Sequence, residues 1–406
     1  MMPYGLASSA ALLTLLLGVA AFAGWNGDAD IEIPAYQLPD PLKMNAGRSV
    51  ASKQAWTQER RGEVLELFRE HVYGRRPGAP QTLTFHEIEH DDQAMDGKAT
   101  LRRIEIRSGV DDREHAFELI VFVPNDADGP VPLFLLMNNR GPEQTDPTRA
   151  ERSDFWPAEE IIERGYGIAA IQVGELAPDS ADTFRQGVID LFEDGQNDRP
   201  GDAWAGLAAW GWGASRAMDY FETADDIEAT QVGLVGHSRG GKAALWAGAE
   251  DERFAMIVSN NSGCGGAALS RRQVGERIKQ INDRFPHWFC ENFNAYNDRE
   301  HALPLDQHML VALIAPRTVY VASASDDIWA DPRGEFLSLA HASPVYALWG
   351  HEPLSPDAMP DVDEPVHTGP LGYHIRSGGH NLTPYDWHRF IDLAELRFER
   401  SNDGER

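Results

Sequence analysis

Cysteine is nearly absent from this chain: there are two, Cys264 and Cys290, in 406 residues. That count excludes a disulfide-dense scaffold. In an oxidising compartment the pair would close a loop of roughly 26 residues, worth about 3–4 kcal/mol in the chain-entropy account, and a bridge is the expectation. Cations are scarce too, 36 Lys and Arg against 64 Asp and Glu, for a net charge of −28. A chain so acidic is repelled by polyanions, which excludes nucleic acid and anionic membrane surfaces as partners. The acidity is spread along the chain and reads as a solvated surface, of the kind a salty habitat favours. Internal repeats, heptads and low-complexity tracts are missing. So is any His-Glu-x-x-His pair, and the acidic turns at residues 126–129 and 361–364 lack a full ligand set. No metal site and no cofactor are expected.

What remains is an ordinary globular composition, 42% hydrophobic and 25% charged, long enough to bury one large core or two modest ones. The N-terminus differs from the rest. Residues 7–23 are apolar and end in Ala21-Phe22-Ala23, an A-x-A cleavage pattern, so residues 1–23 read as a signal peptide and the protein as secreted or periplasmic. No Lys or Arg precedes the apolar run, which departs from the usual positive start. Residues 24–406 then read as one catalytic domain.

Within it, residues 231–250, QVGLVGHSRGGKAALWAGAE, organise everything else. An apolar run (Val232, Leu234, Val235) reads as a buried strand, and an Ala/Leu/Trp run reads as a helix. Between them stands Gly236-His237-Ser238-Arg239-Gly240, the G-x-S-x-G spacing of a nucleophile elbow. Only small neighbours let strand and helix pass so closely around a serine in strained backbone. The helix N-terminus then aims free N–H groups at any oxyanion formed there. Around this centre, helical spacing is expected over residues 54–73, and strands over 82–88, 99–107 and 116–123. Continuous apolar runs at 132–137, 165–173, 254–260, 318–324 and 345–349 read as buried parallel strands, with helices over 203–222 and 387–398. Such alternation predicts a three-layer α/β sandwich, the α/β-hydrolase fold, with a mostly parallel central sheet. Residues 265–316 read as an insertion over the sheet edge.

A serine nucleophile needs a base, and the base an orienting acid, which follow in the order acid then histidine. Asp326, Asp327 and Asp331 all follow the 318–324 strand. Asp327 is nearest the point where strand gives way to loop, whereas Asp331-Pro332 reads as a helix start. Of the late histidines, His380 follows Gly378-Gly379, a turn free to swing an imidazole over the sheet edge. His374 lies in an alternating stretch and is expected to be packed; His388 is expected on a helix surface. The oxyanion donor should be the backbone N–H of Arg239. A second donor is sought around Asn139 and Arg140. The glycan-acceptor patterns at Asn260 and Asn381 read as chance.

Five motifs in order carry a resemblance: Gly236-His237-Ser238-Arg239-Gly240-Gly241-Lys242, Ser259-Asn260-Asn261-Ser262-Gly263-Cys264-Gly265-Gly266, Phe285-Pro286-His287-Trp288-Phe289, Leu303-Pro304-Leu305-Asp306-Gln307-His308 and Leu313-Ile314-Ala315-Pro316-Arg317. From Pro132 onward the chain resembles the glucuronoyl esterases, and their bacterial branch in particular. These enzymes cut esters between lignin alcohols and 4-O-methyl-glucuronate on xylan. The resemblance implies that Lys242 and Glu276 bind sugar hydroxyls and that Trp329 lines the sugar pocket. Many members carry the catalytic acid where this chain has Asn261. An amide cannot supply that charge, which points again to Asp327. The expected substrate is glucuronoxylan or a lignin–carbohydrate ester, attacked by a monomer. An acetyl-xylan esterase, or a carbohydrate-binding protein that has lost turnover, are the alternatives.

Overall fold

The computed structural model describes residues 24–398 except 194, 196 and 197; the expected signal peptide lies outside the described residues. Ten strands form one sheet: β1 (Thr82–Gln93), β2 (Ala99–Val110), β3 (Arg113–Pro124), β4 (Val131–Asn138), β5 (Gly167–Gln172), β6 (Ile227–His237), β7 (Met256–Asn260), β8 (Thr318–Ala324), β9 (Val366–Thr368) and β10 (Leu371–Arg376). Their order is β1-β2-β3-β5-β4-β6-β7-β8-β10-β9. The pairs β4–β5, β4–β6, β6–β7, β7–β8 and β8–β10 are parallel. An antiparallel meander, β1–β2–β3, joins at β5, and β9 caps the far edge. This is the mixed, mostly parallel sheet of an α/β hydrolase, with helices on both faces.

The continuous apolar runs follow from burial on both faces. Along β4, Leu133, Leu135 and Met137 join one core cluster, while Phe134 and Leu136 join the other. Each such side chain contributes about 1.5–3 kcal/mol by leaving water. The larger cluster is covered by α1 (Gly206–Phe221), α2 (Arg239–Glu250) and α3 (Pro332–Tyr346). The smaller one lies under α4 (Pro384–Arg397) and the short helix Ala158–Glu163. Helix α1 is buried almost all round, and Gly211 brings it close to Ala247 of α2.

Two expectations need correction. Residues 345–349 are not a strand: Val345 and Tyr346 finish α3, and Ala347–Trp349 is a 3₁₀ turn. Their apolarity comes from the inner face of a helix, which a five-residue run cannot tell from a strand. Beyond β8 the sheet is completed by β10 and then by β9 at its edge. The expected disulfide is also absent, for both cysteines are free and buried. They are docked to different elements. The Cys290 N–H donates to Val72 O and its thiol lies 3.8 Å from Glu70 O, against the helix at residues 53–73. The Cys264 carbonyl accepts from Lys242 of α2. Burial pushes both thiols up, Cys290 to about 12, so neither is reactive near neutrality.

Candidate active site

The C-terminal ends of β6, β7 and β8 converge on a cleft of about 300 Å³, lined by Ser238, Arg239, Lys242, Glu276, Asp327, Trp329 and His380 among others. All seven candidate site residues therefore meet in one place. A larger cleft of about 590 Å³ opens at the opposite strand ends, beside Thr230, Ala255 and Thr318, and holds no nucleophile–base pair.

Ser238 sits between β6 and α2 with φ 55° and ψ −123°, backbone that a side chain adopts only under constraint. The constraint is local. The Ser238 N–H donates to Asn260 O at 2.8 Å, and its carbonyl accepts from Gly241 and Lys242. A Cβ at Gly236 would collide with the Gly240 carbonyl, so this position must be glycine for strand and helix to cross.

His380, on the exposed loop after β10, donates from Nδ1 to Asp327 Oδ2 at 2.6 Å. In the neutral ring that bond places the single proton on Nδ1 and leaves Nε2 free to accept. Asp327 begins the turn after β8 and is 7% exposed, so its charge needs support. Burial works against the carboxylate. The hydrogen bond and charge of His380 and the amide of Asn261, 2.9 Å from the same Oδ2, nonetheless hold it below the usual aspartate range. Among the described residues no hydrogen bond joins Ser238 Oγ to His380; in serine hydrolases that bond often closes only around substrate.

Arg239 is the first residue of α2, where a backbone N–H has no intrahelical acceptor. Its guanidinium pairs with Asp179 and lies 5.3 Å from the Trp288 ring. Asp179 also accepts from His287 Nε2 at 2.8 Å and Trp288 Nε1 at 2.7 Å. Burial raises its pKa, but these donors and Arg239 outweigh that and bring it down to about 2. Asp179 stands in none of the sequence motifs; Trp288 stands in the Phe285–Phe289 motif, which by itself assigns it no place in the cleft. Of the two residues where a second oxyanion donor is expected, Asn139 and Arg140, the backbone donor of Arg140 is already engaged. Its N–H is taken by Asn138 Oδ1, and its guanidinium reaches Asn381 Oδ1 at 2.9 Å, tethering the loop that carries His380.

On the other side of the cleft, Lys242 is 4% exposed and donates to Ser262 O and Cys264 O at 2.5 and 2.6 Å. Its Nζ lies 3.9 Å from Glu276 Oε2. The Glu276 N–H donates to Trp329 O at 3.0 Å, fixing those two residues to each other. Trp329 is 51% exposed, rare for so large a ring here. The other candidates behave as structural residues. Asp331 caps α3 and pairs with Arg272; His374 is buried in β10 against Asp386; His388 pairs with Glu160 at the surface. Among the described residues, no group of three His, Cys, Asp or Glu is disposed around a metal position.

Comparison with known proteins adds the following. A family model described as glucuronyl esterase, fungi, matches residues 163–350. The carbohydrate esterase MZ0003, from an unknown prokaryotic organism, is 39% identical over 401 residues, spanning 92% of each chain. A 4-O-methyl-glucuronoyl methylesterase of Schizophyllum commune is 27% identical, over 84% of this chain and 82% of its own. Among solved structures, a glucuronoyl esterase from Solibacter usitatus superposes with a TM-score of 0.85 at 40% identity, covering 91% of this chain and 100% of that one.

Proposed function

The chain belongs to the glucuronoyl esterases of carbohydrate esterase family 15, which makes it a carboxylic ester hydrolase, and from that premise we propose that Ser238, His380 and Asp327 are its triad and esters of 4-O-methyl-glucuronate on glucuronoxylan its substrates. In this reading Ser238 Oγ attacks the ester carbonyl while His380 Nε2 takes its proton. The oxyanion forms opposite the Arg239 N–H, with the guanidinium held close by Asp179. Collapse expels the alcohol, which receives the proton from His380, and water then repeats the sequence on the acyl-enzyme. Asp327 keeps the proton on Nδ1 and stabilises the imidazolium.

The observation that carries this reading is the 2.6 Å bond from His380 to a buried aspartate, in the same cleft as a serine on a strained elbow. The sugar reading is supported by a donor and an acceptor side by side, Lys242 and Glu276, in a cleft that an exposed indole, Trp329, also lines. A pyranose offers hydroxyls to the first two and a C–H face to the third. The relative from Schizophyllum commune is named for the same ester. Export, inferred from the apolar leader, would bring the enzyme to polymeric xylan.

The test is hydrolysis of benzyl glucuronate by the native enzyme and by Ser238→Ala. The variant is expected to lose about 10⁶ in kcat, as serine hydrolases do on losing the nucleophile. Comparable turnover in the variant would refute the triad. A native enzyme that prefers 4-nitrophenyl acetate to benzyl glucuronate would shift the substrate reading to acetyl esters.

A further inference from the structure

The sugar side of the cleft rests on one short turn, residues 261–264, directly after β7. Asn261 and Gly263 both have positive φ, 47° and 58°. A turn with two left-handed residues needs outside contacts to hold one conformation. Those contacts come from Glu335, in the first turns of α3, which is fully buried and lies outside the cleft lining. Its Oε1 accepts from the N–H of Ser262 at 2.7 Å, the N–H of Gly263 at 2.9 Å and the Ser262 hydroxyl at 3.2 Å. Its Oε2 bonds to Ser323 Oγ at 2.6 Å.

The peptide joining Ser262 to Gly263 is thus gripped at both ends. Its N–H points at Glu335, and its carbonyl points at Lys242 Nζ. An ammonium has three N–H groups; Ser262 O and Cys264 O take two, leaving one. Were this peptide to flip, its N–H would face the ammonium, and Lys242 would lose one of its two anchors. A buried carboxyl is costly unless donors surround it; the donors around this one belong largely to the turn that orients Lys242.

We propose that Glu335 is a positioning residue for sugar recognition: without touching substrate, it locks the Ser262–Gly263 peptide so that Lys242 presents a single N–H to a substrate hydroxyl. This rests on reading the cleft as a glucuronate site. Burial pushes the Glu335 carboxyl up to about 8. The protonated acid can still accept at Oε1 and donate from Oε2 to Ser323, so the lock holds in either form and glutamine can copy it.

The experiment compares methyl glucuronate with 4-nitrophenyl acetate, an ester that needs the nucleophile but has no sugar. For Glu335→Ala, KM for the glucuronate ester should rise about tenfold or more with kcat within about threefold, the pattern of lost ground-state binding. Its kcat/KM on the acetate should stay within about threefold of native, and Glu335→Gln should return KM for the sugar ester close to native. If the alanine variant does not fold, Glu335→Asp, which withdraws the carboxyl by one methylene, should show the same rise in KM confined to the sugar ester. An unchanged KM, or an equal loss on both esters, overturns the proposal. If the native enzyme cleaves only the acetate, it is the glucuronate reading that fails; that result is seen before any variant is made.

Discussion

Asp327 Oδ2 accepts two hydrogen bonds, from His380 Nδ1 and from Asn261 Nδ2. One donor is the proposed base; the other occupies the position where related enzymes keep an acid. The amide therefore serves the carboxylate instead of replacing it. Because the Asp327 pKa is depressed, the charge and its support are present above the ordinary aspartate range and lost only as pH falls through the lowered value. Asp327→Asn keeps the shape and removes the charge that fixes the tautomer. Its kcat should fall by about 10⁴, by analogy with the same change in other triads. KM for benzyl glucuronate should move little, because Lys242, Glu276 and Trp329 are untouched. Steady-state kinetics decide it, and near-native kcat would mean that another carboxylate orients His380. Ser238, Asp327 and His380, the proposed triad, could be singled out from sequence because each follows a strand or a glycine turn, and the fold brings them to one cleft. Asp179 could not. It stands in a loop with no motif, and its importance lies in three partners, Arg239, His287 and Trp288, brought together only by folding.

The elements differ in how far the sequence disclosed them, and the reason is steric. The elbow between β6 and α2 writes its demands into residue types. Gly236 has no room for a Cβ, and the residue between the strand and the helix must accept a positive φ. Strand β4 is equally plain, since burial on both faces requires an unbroken apolar run. Strand β10 carries buried His374 and Arg376, which a hydrophobic pattern rejects. Both are accommodated by Asp386 of α4, at 2.9 Å from each, and that partner is visible only in three dimensions. The apolar residues 345–349 mislead in the opposite sense, as the packed end of α3. The turn at 261–264 lies within a legible sequence motif, but its grip by Glu335 from α3 spans more than seventy residues of chain. Loops that build the cleft are thus specified by contacts between elements, and strands by the residues they contain.

At the scale of the whole molecule, the net charge of −28 sets the behaviour in solution. Much of the acidity is on display, for instance Glu87, Glu89, Asp91 and Asp92 along the exposed edge strand β1, where charge also discourages edge-to-edge pairing. Exposed ion pairs are worth little each, so repulsion among the unbalanced carboxylates should dominate the response to salt. Raising ionic strength from about 0.01 M to 0.15 M shortens the Debye length from about 30 Å to about 8 Å. The thermal midpoint should rise over that range in a calorimetric scan; a flat or falling midpoint would mean that the ion pairs prevail. The same fold brings side chains separated by more than a hundred residues to one rim of the sheet, and on that convergence the account depends. Its most direct test is labelling with a fluorophosphonate, followed by peptide mapping in a mass spectrometer. The account predicts a single adduct on the peptide holding Ser238, with loss of esterase activity in step with labelling and no adduct in Ser238→Ala. An adduct on a different residue, or full activity in protein labelled at Ser238, would contradict it.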